Sequence, residues 1–248
     1  MSFLDGPGPR VIAHRGLALD APENTLLAFL RALNAGATHL ETDIHASADG
    51  VAVVSHDAEL DRVAGLPGRV GDLRMPELRR IDLGHGQTFS TLAELLDTFP
   101  EARVNVDVKD ERAAASAVEA IRATRAADRV LVTSFSKRRR EAVAQAFPGI
   151  ATSPSVPEFV PALLAAEVGA TPLVRRALRG FAAVQVPERR GPVRVVDRRT
   201  VRAIHAAGCE VHVWTVNDPA DMARLLDLGV DGIVTDRCDL LAQIVATR

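Results

Sequence analysis

The sequence predicts an α/β protein, a single-domain (β/α)8 TIM barrel with one segment inserted after its second strand. Three observations lead there. The chain has 248 residues, 47% of them hydrophobic, a length at which α/β barrels fold around one core. Short apolar runs alternate with helical patterns, eight of each along the chain. The one break in that alternation is confined to about residues 45–89. Strict alternation calls for parallel strands joined by crossover helices, and eight such units close naturally into a barrel. An open doubly wound sheet shares the alternation and is the alternative architecture. The whole chain, residues 1–248, is expected to be one domain.

The elements follow in order. A strand is expected over 11–14. Pro22-Glu23-Asn24-Thr25 then opens a helix over 23–35, in which Leu26, Leu27, Phe29, Leu30 and Leu33 recur at helical spacing until Gly36 stops it. The second strand, 39–43, leads into the insertion, which is rich in glycine, proline and charge. The insertion carries one more strand-like run, Val51 to Val54, after the turn Ala48-Asp49-Gly50. Ser90-Thr91-Leu92-Ala93-Glu94 has the form of a capping box and starts a helix over 91–98. Strands at 104–108, 130–134 and 150–152 are each followed by a helix, at 111–126, 137–147 and 158–167. The last three units pair strands 182–186, 211–215 and 232–235 with helices 197–207, 219–228 and 238–246. Asn217-Asp218-Pro219 starts the second of these helices and Gly229 ends it. The pattern is least regular over 163–192, where Arg175-Arg176-x-x-Arg179 reads as a solvated helix face rather than a phosphate site.

Composition removes several function classes. A formal net charge of −2 supplies no bulk positive field for nucleic acid or an acidic membrane. Cys209 and Cys238 have neither metal-motif spacing nor a disulfide framework, which fits reduced thiols. The first ten residues lack the basic start and apolar stretch of a secretory signal. There is no apolar run of about 18 residues, the length a membrane span requires. A cytoplasmic protein without stable membrane insertion is therefore expected. The oligomeric state leaves no mark in the sequence.

The chemistry-bearing residues gather at strand ends. His14-Arg15-Gly16 follows Val11-Ile12-Ala13, and His56-Asp57 follows Val51 to Ser55. Glu41 and Asp43 are two apart on a strand, so their side chains share a face. Two carboxylates held that close repel unless a cation lies between them. Oxygen donors without a nearby cysteine point to a hard divalent ion, Mg2+ or Ca2+. Asp107 and Lys109 repeat the same spacing on the third barrel strand, where Asn, Asp and Lys alternate with valines. A third carboxylate beside an ammonium suits a metal that binds phosphate, and a plain buried Asp–Lys ion pair is the structural alternative. His14 and His56 are the candidate acid–base pair, because imidazole titrates near neutrality. Arg15 offers a planar fork for a phosphate, or alternatively a clamp on a carboxylate such as Glu23. Trp214, the only tryptophan, falls at a strand end, where it walls a substrate pocket or simply packs in the core.

These residues and their surroundings resemble the glycerophosphodiester phosphodiesterase family. The resemblance spans nearly the whole chain. It includes Ile12 to Gly16, Pro22-Glu23-Asn24-Thr25, Leu40-Glu41-Thr42-Asp43-Ile44, Asp49-Gly50, Val53 to Asp57 and Leu60-Asp61-Arg62. It continues through Thr91-Leu92-x-Glu94-Leu95-Leu96, Val213 to Asn217 and Gly232 to Asp236. The resemblance implies a TIM barrel, one divalent cation on Glu41, Asp43 and a third carboxylate, and His14 and His56 as acid and base. It also implies hydrolysis of a small-molecule glycerophosphodiester to glycerol 3-phosphate and an alcohol. In that mechanism the neighbouring glycerol hydroxyl attacks phosphorus and water then opens the cyclic phosphate. The family typically has glutamate at the third metal position, and this chain has Asp107. A lyase that stops at the cyclic phosphate, and a catalytically silent barrel that binds a phosphate metabolite, are the competing readings.

Overall fold

The computed structural model describes residues 2–248. Its strands, numbered along the chain, are β1 (Arg10–His14), β2 (His39–Ala46), β3 (Ala52–Val54), β4 (Arg103–Val108), β5 (Val130–Thr133) and β6 (Ala151–Thr152). They continue with β7 (Ala183–Pro187), β8 (Arg189–Arg190), β9 (Val193–Arg194), β10 (Glu210–Trp214) and β11 (Gly232–Thr235). Eight of them run parallel in the order β6-β5-β4-β2-β1-β11-β10-β7. The seam lies between β6 and β7, where the Ala182 amide donates to the Thr152 carbonyl at 2.9 Å and the Gln185 amide to Ser153 Oγ at 3.2 Å. The barrel is thus nearly closed, and the open-sheet alternative falls.

The helices are α1 (Leu26–Asn34), α2 (Asp61–Ala64), α3 (Met75–Leu78), α4 (Leu92–Thr98), α5 (Glu111–Ala123) and α6 (Lys137–Ala144). After them come α7 (Val156–Glu167), α8 (Thr171–Ala177), α9 (Arg198–Ala206), α10 (Pro219–Leu228) and α11 (Cys238–Ala246). Strand residues alternate between two environments. Val11, Ala13, Leu40, Val104, Val106 and Val108 join the main apolar cluster shared with the surrounding helices. The intervening residues, Arg10, Ile12 and His14 on β1 or Asn105 and Asp107 on β4, lie on the barrel's inner face. Gly232 serves that interior, since a Cβ there would come within 2.8 Å of the His212 ring and 2.9 Å of Arg10 Cβ.

Capping chemistry sets the helix limits and corrects the expected bounds by a few residues. Thr25 is the N-cap of α1, its Oγ1 accepting from the Ala28 amide at 3.2 Å, so the helix starts after the Pro-Glu-Asn-Thr run instead of within it. The expected box at α4 forms, with Thr91 Oγ1 accepting from the Glu94 amide and Glu94 Oε2 from the Thr91 amide. α7 begins earlier than expected because Ser155 caps it and Glu158 Oε2 accepts from the Ser155 amide. In the irregular region α8 and the β8–β9 hairpin emerge, and Arg175, Arg176 and Arg179 are exposed as a solvated face.

β2 runs on to Ala46 because β3 pairs with it antiparallel, Ile44 against Val54 and Ala46 against Ala52. The segment between β2 and α4 has an apolar cluster of its own, formed by Val53, Leu60, Val70, Met75, Leu78 and Phe89. At the opposite end of the barrel, Phe3 packs with Leu131 and Ala183 and closes the bottom. Among the described residues no helix is long and apolar enough to cross a membrane.

Candidate active site

Strand register builds the site at the C-terminal mouth, where barrel enzymes carry their chemistry. His14 is level with Glu41, Glu41 with Asn105, and Asp43 with Asp107. All of these, with Arg15, His56, Lys109 and Trp214, line one cavity of about 560 Å³. Every residue singled out from the sequence is therefore brought to one place.

The acids are buried: Glu41, Asp43 and Asp107 are 6%, 2% and 7% exposed. Lys109 Nζ bridges two of them, at 2.8 Å from Asp43 Oδ1 and 2.6 Å from Asp107 Oδ2. The buried Asp–Lys pair raised as the structural alternative is thus real, and it sits inside the cavity. It does not satisfy the acids. Asp43 Oδ2, Asp107 Oδ1 and the neighbouring Asn105 Oδ1 are buried without a hydrogen bond. Arg15 Nε stands 3.4 Å from Asp43 Oδ2 but is not aligned to donate, and it too is left without an acceptor. Leaving buried polar atoms unpaired costs about 1–3 kcal/mol each, so native proteins retain few of them, mostly where a ligand or ion completes the set.

Electrostatics tell the same story. Burial, then the charges of Asp43 and Asp107, push the Glu41 carboxyl well above its ordinary range. Burial also raises Asp107 in spite of Lys109. Lys109 is held above the usual ammonium value, because Asp107 and Asp43 outweigh the penalty of its burial. Among the described residues no group of three His, Cys, Asp or Glu side chains stands preassembled around one point. The Lys109 ammonium is the positive charge shared by the two aspartates, and Arg15 adds a second beside Asp43.

The histidines are held alike from two different elements. His14 Nδ1 is 2.6 Å from Asp236 Oδ1, and Asp236 Oδ2 accepts from Asn217 Nδ2 at 2.6 Å. His56 Nδ1 is 2.6 Å from Asp57 Oδ1, and His45 Nε2 lies 3.0 Å from the His56 carbonyl oxygen. The hydrogen bond from His14 holds Asp236 below the usual carboxylate range. Asp57 is lowered as well, because its bonds to His56 and Arg62 outweigh burial. Among the described residues neither ring's Nε2 has a partner, so both are available to the cavity.

Arg15 takes the carboxylate contact that was one of its two readings. NH1 donates to Glu23 Oε1 at 3.1 Å, while Nε remains beside Asp43. Its backbone is in the left-handed region, φ 55°, and its amide lies 3.1 Å from both Glu41 O and Glu41 Oε2. Gly16 follows at φ 85°, where a Cβ would come within 2.7 Å of the Ala28 backbone. The tight turn is what aims Arg15 inward. Glu23 also accepts two bonds from Arg62, which in turn donates to Asp57. An ionic chain thus joins His56 to Arg15 through Asp57, Arg62 and Glu23.

Sequence reasoning singled out neither Asp236 nor Asn217 as site residues, and it assigned no role to Asn105, Phe135 or Arg62. Asp236 follows β11 as directly as Arg15 follows β1, and that position after an apolar run was the available signal. Trp214 lines the cavity, with its ring edge-on to Phe135 at 6.1 Å between centroids.

A buried acidic cluster with two flanking imidazoles and an arginine, at the mouth of a parallel barrel, defines a hydrolase-type site for an anionic substrate. The pattern of the glycerophosphoryl diester phosphodiesterase family matches residues 14–240. The chain is 40% identical over 250 residues to a Mycobacterium tuberculosis protein named probable glycerophosphodiester phosphodiesterase 2, covering all of this chain and 95% of the relative. A phosphodiesterase of Oleispira antarctica, solved in complex with the product sn-glycerol-3-phosphate, superimposes with a TM-score of 0.77 at 26% identity, covering 96% of this chain and 97% of that one. A glycerophosphodiester phosphodiesterase of Agrobacterium tumefaciens gives 0.75 at 26% identity, with coverage of 94% and 99%. The chain belongs to the glycerophosphoryl diester phosphodiesterase family.

Proposed function

We propose that this protein hydrolyses glycerophosphodiesters to glycerol 3-phosphate and an alcohol, with His14 and His56 as acid–base pair and Glu41, Asp43 and Asp107 holding one divalent cation. One observation carries the reading. Two imidazoles, each tethered at Nδ1 by a carboxylate, present free Nε2 atoms to a cavity whose acids retain unpaired oxygens. Those oxygens form an all-oxygen donor set suited to Mg2+ or Ca2+. Supporting Asp107 as the third acid, its register opposite Asp43 puts both carboxylates within reach of one positive charge, that of Lys109. A cation held by these acids would supply charge neutralisation to the phosphodiester oxygens.

The chain's own groups do the rest. Arg15 and Lys109 oppose the phosphate charge. One imidazole takes the proton of the glycerol hydroxyl as it attacks phosphorus, and the other protonates the departing alkoxide. Water then opens the cyclic phosphate with the two roles exchanged. Asp236 and Asp57 keep each ring oriented through its Nδ1. The glycerol 3-phosphate bound to the Oleispira antarctica protein supports hydrolysis through to the open product.

Phosphorus NMR of glycerophosphocholine incubated with the protein and Mg2+ or Ca2+ tests this. Glycerol 3-phosphate is the expected end product. A cyclic phosphate that persists identifies a lyase. No turnover with either ion across several head groups identifies a silent binding barrel.

A further inference from the structure

The two imidazoles reach the cavity by different routes. His14 ends β1, a strand hydrogen-bonded on both sides, to β2 and to β11. His56 lies beyond β3, a three-residue strand that pairs with the end of β2. Among the described residues no backbone amide donates to the His56 carbonyl, and the His56 amide has no backbone partner. The carbonyl accepts instead from a side chain, His45 Nε2, at 3.0 Å. A carbonyl only accepts, so that ring nitrogen is the donor. Nδ1 of the same ring lies 3.3 Å from Asp110 Oδ2. Asp110 directly follows Lys109 and is the N-cap of α5. Its Oδ1 accepts from the Ala113 amide at 2.8 Å and its Oδ2 from the Ala46 amide at 3.0 Å. Burial opposes the charge of Asp110, but the bonds from His45, Ala46 and Ala113 outweigh it and hold the carboxyl well below its usual range.

Glu41, Asp43 and His45 occupy alternate positions of β2 and share a face. The first two line the cavity, while His45 is turned onto the His56 main chain. Its ring joins β2, the start of α5 and the peptide that carries His56. α5 grips the same ribbon at a second point, where Ser116 Oγ donates to the Gly50 carbonyl at 2.6 Å. The bond from His56 to Asp57 fixes the ring only within its own turn, since the two residues are adjacent. Arg62 ties Asp57 to Glu23 from the solvent side, with its side chain 46% exposed. The buried tie between that turn and the barrel is His45. We propose that His45, seated on Asp110, is a positioning residue that sets where the His56 imidazole stands relative to the acids of β2 and β4. The inference rests on the acid–base reading of His56 above. A reacting group displaced by about 1 Å loses up to about 10²-fold in rate.

Substitutions at His45, assayed on glycerophosphocholine with a divalent cation, test this. Glutamine carries an amide N–H about as far as Nε2 and can still donate to the His56 carbonyl, whereas asparagine reaches only as far as Nδ1. His45→Gln is expected to keep kcat within about threefold of wild type, and His45→Asn to lower it about tenfold or more with KM within about twofold. Equal kcat values in the two variants overturn the proposal. A double-mutant cycle separates positioning from general damage to the fold. Added to His56→Ala, His45→Asn should cost less than about twofold further, because no imidazole remains to be placed. An equal fractional loss in wild type and in His56→Ala overturns the proposal as well. Asp110→Asn gives a second route should His45→Asn not fold. It keeps a capping oxygen for α5 but presents an amide where His45 needs an acceptor. Its loss of kcat should likewise disappear in His56→Ala, and a loss that persists there contradicts the proposal. A near-wild-type rate in His56→Ala overturns the acid–base reading instead, and the inference with it.

Discussion

The two ends of the barrel bury the same kinds of side chain and treat them oppositely. At the bottom, the Arg10 guanidinium meets Glu210 Oε1 at 2.8 Å and Oε2 at 3.2 Å, and donates to the Leu4 and Gly6 carbonyls at 2.6 and 2.9 Å. His212 Nε2 sits 3.0 Å from the same glutamate, and His39 is fixed between the Phe3 carbonyl and Thr38 Oγ1, each at 2.8 Å. At the mouth, Asp43, Asp107, Asn105 and Arg15 each retain an unpaired buried atom. Burial of a polar group thus has two meanings in one barrel. At the bottom the paired groups hold the fold, and at the mouth the spare hydrogen-bonding atoms belong to residues that line or border the cavity.

The contrast breaks if mutations at the two ends act alike. The largest effect is expected at the mouth. His14→Ala and His56→Ala should each lower kcat by about 10²–10⁴-fold, the usual contribution of a positioned acid or base, with melting temperature little changed. Near-wild-type rates in both would remove the acid–base assignment. At the bottom the pattern should invert. Glu210→Ala leaves Arg10 and His212 without their carboxylate and should cost about 3–5 kcal/mol of stability, read by denaturant unfolding, while kcat/KM of the folded enzyme is retained. Activity lost without stability would erase the distinction.

A smaller effect sharpens it. Burial holds His39 down to about 3, against an ordinary value of 6.5. Because the folded value is the lower one, the unfolded chain takes up the proton first as pH falls below 6.5. His39 therefore favours folding at neutral pH and loses that contribution on acidification towards 3, by up to about 1.4 kcal/mol per pH unit. The stability gap between wild type and His39→Gln should narrow from pH 6.5 to 4. A gap independent of pH would place His39 in a solvated setting.

Much of this was legible in the sequence, for identifiable reasons. β4 spells out its two faces, valine outward and Asn105, Asp107 inward, because a strand alternates strictly. Glu41 and Asp43 could be placed on one face by the same rule. The third carboxylate followed from the spacing of Asp107 and Lys109, and its register opposite Asp43 required the fold. Asp236 escaped because its role depends on β11 lying beside β1, a contact between the two ends of the chain. Helix ends differed by a few residues wherever a capping threonine or serine, not the apolar period, set the limit.

Calorimetric titration of chelator-treated protein with Mg2+ and Ca2+ asks whether the unpaired acids at the mouth hold a cation. One ion per chain is predicted for the wild type, with a rise in melting temperature, and both signals should vanish in Asp43→Asn. An absence of binding with either ion at millimolar concentration, together with diester hydrolysis that persists in chelator, would contradict it.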